Sequence, residues 1–213
     1  MRRSYVIILV LIAFSLLLGA YLYPRMPEQM ASHWNAQGQV DGYTPKFWGL
    51  FLGPLIVFIL FLFFVAIPRM DPLKANIEQF RGYYEGFIVL VTIFFLYEHV
   101  LTILWSLGVA FDLNQALTPA MGLLFFAAGV MMEHAKRNWF IGIRTPWTLS
   151  NDEVWEKTHR LGGKLFRLAG LLAIVGIFFP KHALLFMLAP VLLASAYTTL
   201  YSYLEFRRLT ATP

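Results

Sequence analysis

The chain has 213 residues, 59% of them hydrophobic and only 14% charged, a balance outside the range of soluble domains and inside that of polytopic membrane proteins. Its net charge of +5 stands on no soluble domain with interleaved stacking aromatics, so direct binding of nucleic acid is not expected. With no cysteine, disulfides, thiolate metal sites and a cysteine nucleophile are excluded.

A helix needs about 20 apolar residues to cross a hydrocarbon core of about 30 Å. Met1-Arg2-Arg3 opens onto such a run, residues 4–23, which is too long for a signal core and is closed by no small-x-small cleavage site. It reads as the first span. Residues 24–46 follow as a polar loop with Trp34 and Tyr43 as interfacial anchors. Turns are marked there by Asn35-Ala36-Gln37-Gly38 and Asp41-Gly42, since Gly reaches positive φ and Asn or Asp side chains bond nearby backbone. Further apolar runs occupy 47–67, 83–107, 119–135, 165–179 and 183–203, with the two shorter ones extending into their flanks. The fold class is therefore all-α, a polytopic six-helix transmembrane bundle.

Six spans place all 17 Lys and Arg except Arg25, Lys46 and Lys181 on one side. That asymmetry predicts both termini in the cytoplasm, N-in and C-in, in a multi-pass protein of the plasma membrane. No low-complexity linker divides the chain, so 1–213 reads as a single membrane domain. Within it, 1–107 is a three-span part with outer loop 24–46, and 108–213 is a three-span part with a cytoplasmic island at 136–164.

That island is the most distinctive stretch. Residues 138–149 lack helical periodicity and contain Gly142 and Pro146, which predicts an ordered loop or re-entrant element. Ser150-Asn151-Asp152-Glu153 reads as a capping box with Ser150 as N-cap. The helix after it carries acid-before-base pairs, Glu153–Lys157 and Glu156–Arg160, and is expected to stop at Gly162-Gly163. This predicts a short amphipathic helix lying at the cytoplasmic interface.

The island resembles the membrane domain of the Sdp immunity-protein (SdpI) family. The resemblance is carried by Asn138, Gly142-Ile143-Arg144-Thr145-Pro146-Trp147-Thr148-Leu149, Val154-Trp155, Thr158-His159 and Gly162-Gly163 at fixed spacing. The amino-terminal part resembles the small domain of unknown function that precedes it in that family, through Pro27, His33-Trp34-Asn35, Gly38 and Asp41-Gly42. The resemblance implies a membrane protein that protects cells from a secreted antimicrobial peptide. It also implies, as in the namesake system, capture of a cytoplasmic repressor at the membrane.

Several residues are candidates for chemistry. Glu98-His99 lies inside a span, where an ionisable side chain costs roughly 2.5–3.5 kcal/mol on insertion scales and marks a functional site by default. Thr92, His99, Thr102 and Ser106 form one polar stripe bordered by Glu98. These groups either glue neighbouring helices or serve as a relay, ligand or metal contact. On the outer side His33, Asn35 and Asp41 join Glu98 and His99 as a candidate binding set. No His-Glu-x-x-His motif is present, and no cofactor is predicted. A metal ion is considered only through His33, Glu98, His99 and His182. On the inner side the candidates are Glu85, Glu133, Arg144, Thr145, Trp147, Trp155 and His159. Arg144 is expected to pair with Glu85 or Glu133, since a guanidinium fork seeks a carboxylate. Trp139, Trp147 and Trp155 are expected as interface anchors.

Three functions follow in order. The first is an immunity or sensor protein meeting a toxin peptide outside and a regulator inside. The second is a small transporter or channel using Glu98 and His99. The third is a membrane-embedded metal-dependent hydrolase. The lipid bilayer is a partner in all three, and no nucleophile elbow or phosphate loop points to another enzyme class.

Overall fold

Long apolar runs in lipid can satisfy their backbone only as helices, and the chain folds accordingly. The structure, a computed structural model, describes residues 2–211. Met1, Thr212 and Pro213, counted in the domain expected over 1–213, lie outside the described residues. In chain order the elements are α1 (Arg3–Leu22), β1 (Gln29–Trp34), β2 (Val40–Pro45), α2 (Lys46–Met70), α3 (Lys74–Gln79), α4 (Arg81–Ser106), α5 (Leu113–His134), α6 (Pro146–Ser150), α7 (Asp152–Val175) and α8 (Ala183–Thr210). Among the described residues six helices are long and apolar enough to cross a membrane, built on α1, α2, α4, α5, α7 and α8.

The loop at 24–46 forms a two-stranded antiparallel hairpin with a register irregularity at His33. Its turn is the expected one: Gly38 has φ +73°, and Asn35 Oδ1 accepts the backbone N–H groups of Gln37 and Gln39 at 3.0 Å each. The hairpin is seated by Met30, fully buried against Gly49 of α2. Asp112 caps α5 by accepting Gln115 N–H at 3.0 Å, so this span starts well before Pro119.

Helices α1, α2 and α4 pack together, α5, α7 and α8 pack together, and α4 meets α5 between them. Glycines bring α5 and α7 into backbone contact. A Cβ at Gly129 would lie 2.5 Å from Gly163 O, and one at Gly122 would lie 2.6 Å from Gly170 O. This corrects the expected short interfacial helix. Gly162 and Gly163 do not cap it, because Gly163 sits at the crossing with α5 and Gly162 against Ile143 of the island loop, where side chains have no room, and α7 runs unbroken from the island into its span. The N-cap also shifts: Asn151, not Ser150, accepts the N–H groups of Glu153 and Val154 at 2.8 and 3.1 Å. One core cluster joins the first helix group to the island, running from Ile8, Phe61, Tyr84 and Ile88 to Ile141 and Trp155.

Candidate functional site

The island is held by side chains that reach out of it and into it. Asn138 is fully buried; its Nδ2 donates to Lys136 O and Ile141 O, and its Oδ1 accepts from the N–H groups of Phe140 and Ile141 at 2.9 and 2.6 Å. Asp71, buried between α2 and α3, accepts Leu73 N–H at 2.7 Å and Trp139 N–H at 2.8 Å. Thr145 and Thr148 close a capping box on α6, and Thr145 Oγ1 also lies 3.0 Å from Ser202 Oγ on α8.

At its centre, Ile143 N–H donates to His159 Nε2 at 3.0 Å, so that nitrogen is unprotonated, and His159 Nδ1 lies 2.9 Å from Trp155 O as the donor. The imidazole is 1% exposed and stacks on Trp155 at 3.9 Å between centroids. Gly142 passes beneath it at φ +104°, where a Cβ would strike Nε2. Trp155 is buried, with Nε1 donating to Ala135 O at 2.8 Å, so it is a core strut rather than the expected interface anchor.

The expected pairing of Arg144 with Glu85 or Glu133 is also corrected. Glu85 is taken by Arg2 at 2.8 Å, Ser4 at 2.7 Å and, from its own helix, Arg81 at 3.1 Å, and Glu133 is taken by Arg167 of α7 at 2.7 Å. Arg144 instead donates to Trp139 O at 2.8 Å and is exposed. Trp147 rests on Tyr203 with 5.0 Å between ring centroids. Beside these residues a polar cavity of about 350 Å³ is walled by Glu133, Arg137, Asp152, Trp155, His159 and Arg160. Its charges largely answer one another, as in Arg137 Nε–Asp152 Oδ1 at 2.8 Å.

The hairpin end is simpler. His33 Nδ1 and Asp41 Oδ1 are 2.5 Å apart on the exposed hairpin, and Asn35 is consumed by its turn. His99 is buried in α4 against Gly53 of α2, and its Nε2 has no partner among the described residues. Trp34 Nε1 is likewise buried and unpartnered, its ring edge-on to Trp105 at 5.9 Å. Glu98 is half-buried, and no side-chain hydrogen bond or ion pair reaches its carboxylate among the described residues. His182 is exposed in a short turn before α8. The set His33, Glu98, His99 and His182 therefore does not converge, and no cluster of three His, Asp or Glu suited to a metal forms among the described residues.

Asn138, Asp71, Thr148 and Gly142 were not singled out as site residues from sequence. Asn138 and Gly142 stood in the distinctive stretch, and Asp71 sits in Pro68-Arg69-Met70-Asp71-Pro72, the composition of an Asx turn.

Comparison with known proteins finds matches to two separate parts of the chain. Residues 134–202 match the SdpI/YfhL protein family, and residues 10–58 match a domain of unknown function (DUF1648). "Immunity protein SdpI" of Bacillus subtilis (strain 168) is 26% identical over 208 residues, which is 97% of this chain and 98% of that protein. No solved structure matches the chain.

Proposed function

We propose, from its place in the SdpI/YfhL family of membrane proteins, that this chain is an immunity protein protecting its cell from a secreted antimicrobial peptide. One observation carries the reading: the likeness to an immunity protein runs through both the hairpin-bearing and the island-bearing parts, over 97% of the chain. The orientation belongs to the proposal. The cationic island end faces the cytoplasm of a plasma-membrane protein, and the hairpin with its His33–Asp41 pair meets the peptide first. Coupling to a cytoplasmic regulator would use the exposed charges at the start of α7, where Glu156 and Arg160 pair at 2.7 Å.

The test is survival. Sensitive cells expressing the chain should withstand a secreted peptide that kills their non-expressing siblings, and equal killing at equal membrane levels of protein would overturn the proposal. Because the chain has no cysteine, Gln37→Cys and Glu156→Cys report orientation directly. An impermeant thiol reagent added outside intact cells should label the first and spare the second.

A second reading, transport of an ion, is supported by the Glu98 carboxylate and His99 Nε2 in α4, neither of which has a side-chain partner among the described residues. It requires flux in proteoliposomes that Glu98→Gln abolishes; absence of flux in the unaltered protein removes it.

A further inference from the structure

Arg144 stands apart from the other charges of the island. It uses one N–H on Trp139 O, and no carboxylate among the described residues pairs with it. It lines a groove of about 440 Å³ that runs between α5, α7 and α8 past Ala128, Met131, Met132 and Phe166 to Thr199. A second groove of about 350 Å³ starts at the same Thr199 and follows Leu200, Tyr203 and Trp147 on the outer surface of α8. The lining of both is mainly apolar away from Arg144, and both are open at the side of the bundle.

Depth decides what meets this place. Starting from Ala183, about 20 residues at 1.5 Å rise cross a hydrocarbon core of about 30 Å, so α8 leaves the core near Ser202 and Tyr203. The Thr145 Oγ1–Ser202 Oγ contact at 3.0 Å ties the Arg144 loop to that level. The Trp147–Tyr203 pair sits there too, and Arg207 lies over the Tyr203 ring at 5.8 Å. Arg207 thus lies on an aromatic pair at headgroup depth with Arg144 on the adjoining loop, while two apolar grooves descend from that level into the hydrocarbon.

We infer that the Arg144 loop, with α5, α7 and α8, forms a binding site for one anionic phospholipid, whose phosphate is held by Arg144 and whose two chains occupy the grooves on either side of Thr199. The match is one of charge and shape. A guanidinium with free donors in its fork is suited to two phosphate oxygens, and a two-chain amphiphile fits a cationic head between two slots. This inference rests on membrane insertion and not on the immunity reading, and it holds whichever way that proposal falls.

The experiment titrates phosphatidylglycerol, phosphatidylcholine or inorganic phosphate into the full chain in detergent, reading bound lipid by native mass spectrometry and the melting temperature in parallel. Phosphatidylglycerol should bind at one molecule per chain and raise the melting temperature, and the other two should not. Arg144→Gln should weaken that binding by about fivefold or more, whereas Arg69→Gln, a charge removed on the same end, should leave it unchanged. Thr199→Trp keeps Arg144 and fills the junction of the grooves, so it should also lose the lipid while retaining the unliganded melting temperature. Equal binding of phosphatidylcholine, equal loss in Arg69→Gln, or undiminished binding in Thr199→Trp would each overturn the site. An equal effect of inorganic phosphate would show a simple anion site and overturn the lipid assignment.

Discussion

At the hairpin end the polar side chains bond within the hairpin, Asn35 to Gln37 and Gln39 and His33 to Asp41 across the strand pair. One bond enters from outside, Asn114 Nδ2 of α5 to Ala36 O at 3.1 Å. At the island end the local bonds of Asn138 are joined by bonds between elements: Asp71 to Trp139, Asn76 to Arg137 O, Trp155 to Ala135 O, and Ile143 N–H to His159. Both segments are polar interruptions of an apolar chain, yet they play different mechanical parts. Local bonds make a module that can change its surface without disturbing the bundle. Bonds between elements make a keystone, in which a buried group that loses its partner keeps the full desolvation penalty.

The contrast is broken most severely at Gly142. At φ +104° beneath the imidazole, Gly142→Ala adds both backbone strain and a collision with Nε2, and should destabilise the protein by about 3 kcal/mol or more in detergent unfolding. A loss no larger than that of an exposed glycine would mean the loop can move away from His159. Next comes Asn138→Ala, which strands two backbone N–H groups and two carbonyls; about 2–3 kcal/mol is expected from the same unfolding curves. His159→Phe keeps the stacking on Trp155 but orphans Ile143 N–H, so a smaller loss of about 1–3 kcal/mol should appear. At the other end His33→Ala should change stability by no more than about 0.5 kcal/mol, because its pair with Asp41 is exposed. If the hairpin is where an antimicrobial peptide is met, the same substitution should lower survival, which separates a recognition surface from a structural one.

The six spans were legible because length and hydropathy leave a lipid-embedded chain little choice, and the turn at Asn35–Gly38 because its residues carry their own backbone partners. The hairpin strands were not. Residues 29–34 and 40–45 are short, and Met30 becomes buried only once α2 presents Gly49. Gly162-Gly163 misled for a related reason. A glycine pair signals a helix end by local rules, and only the tertiary packing shows Gly163 against the α5 backbone and Gly162 against Ile143 of the island loop. Arg144 was expected to pair with a carboxylate, but it is exposed and bonds Trp139 O instead. Glu85 and Glu133 had nearer cations: Arg81 stands at i, i+4 to Glu85 on the same helix and was readable from spacing, whereas Arg2 and Arg167 were not. His159 lies on the helix expected for it, while its role depends on the Ile143 amide sixteen positions away, in a loop with no periodicity to read.

The difference between the two ends is tested most directly by hydrogen–deuterium exchange of the full chain in lipid nanodiscs, comparing the island amides with those of the hairpin turn. The Ile141 and Ile143 amides, bonded to Asn138 and His159, should be protected like those of the surrounding spans, while the Gln37 and Gln39 amides exchange much faster. Equal, rapid exchange of both segments would contradict the account, since it would make the island a surface loop rather than a keystone of the bundle.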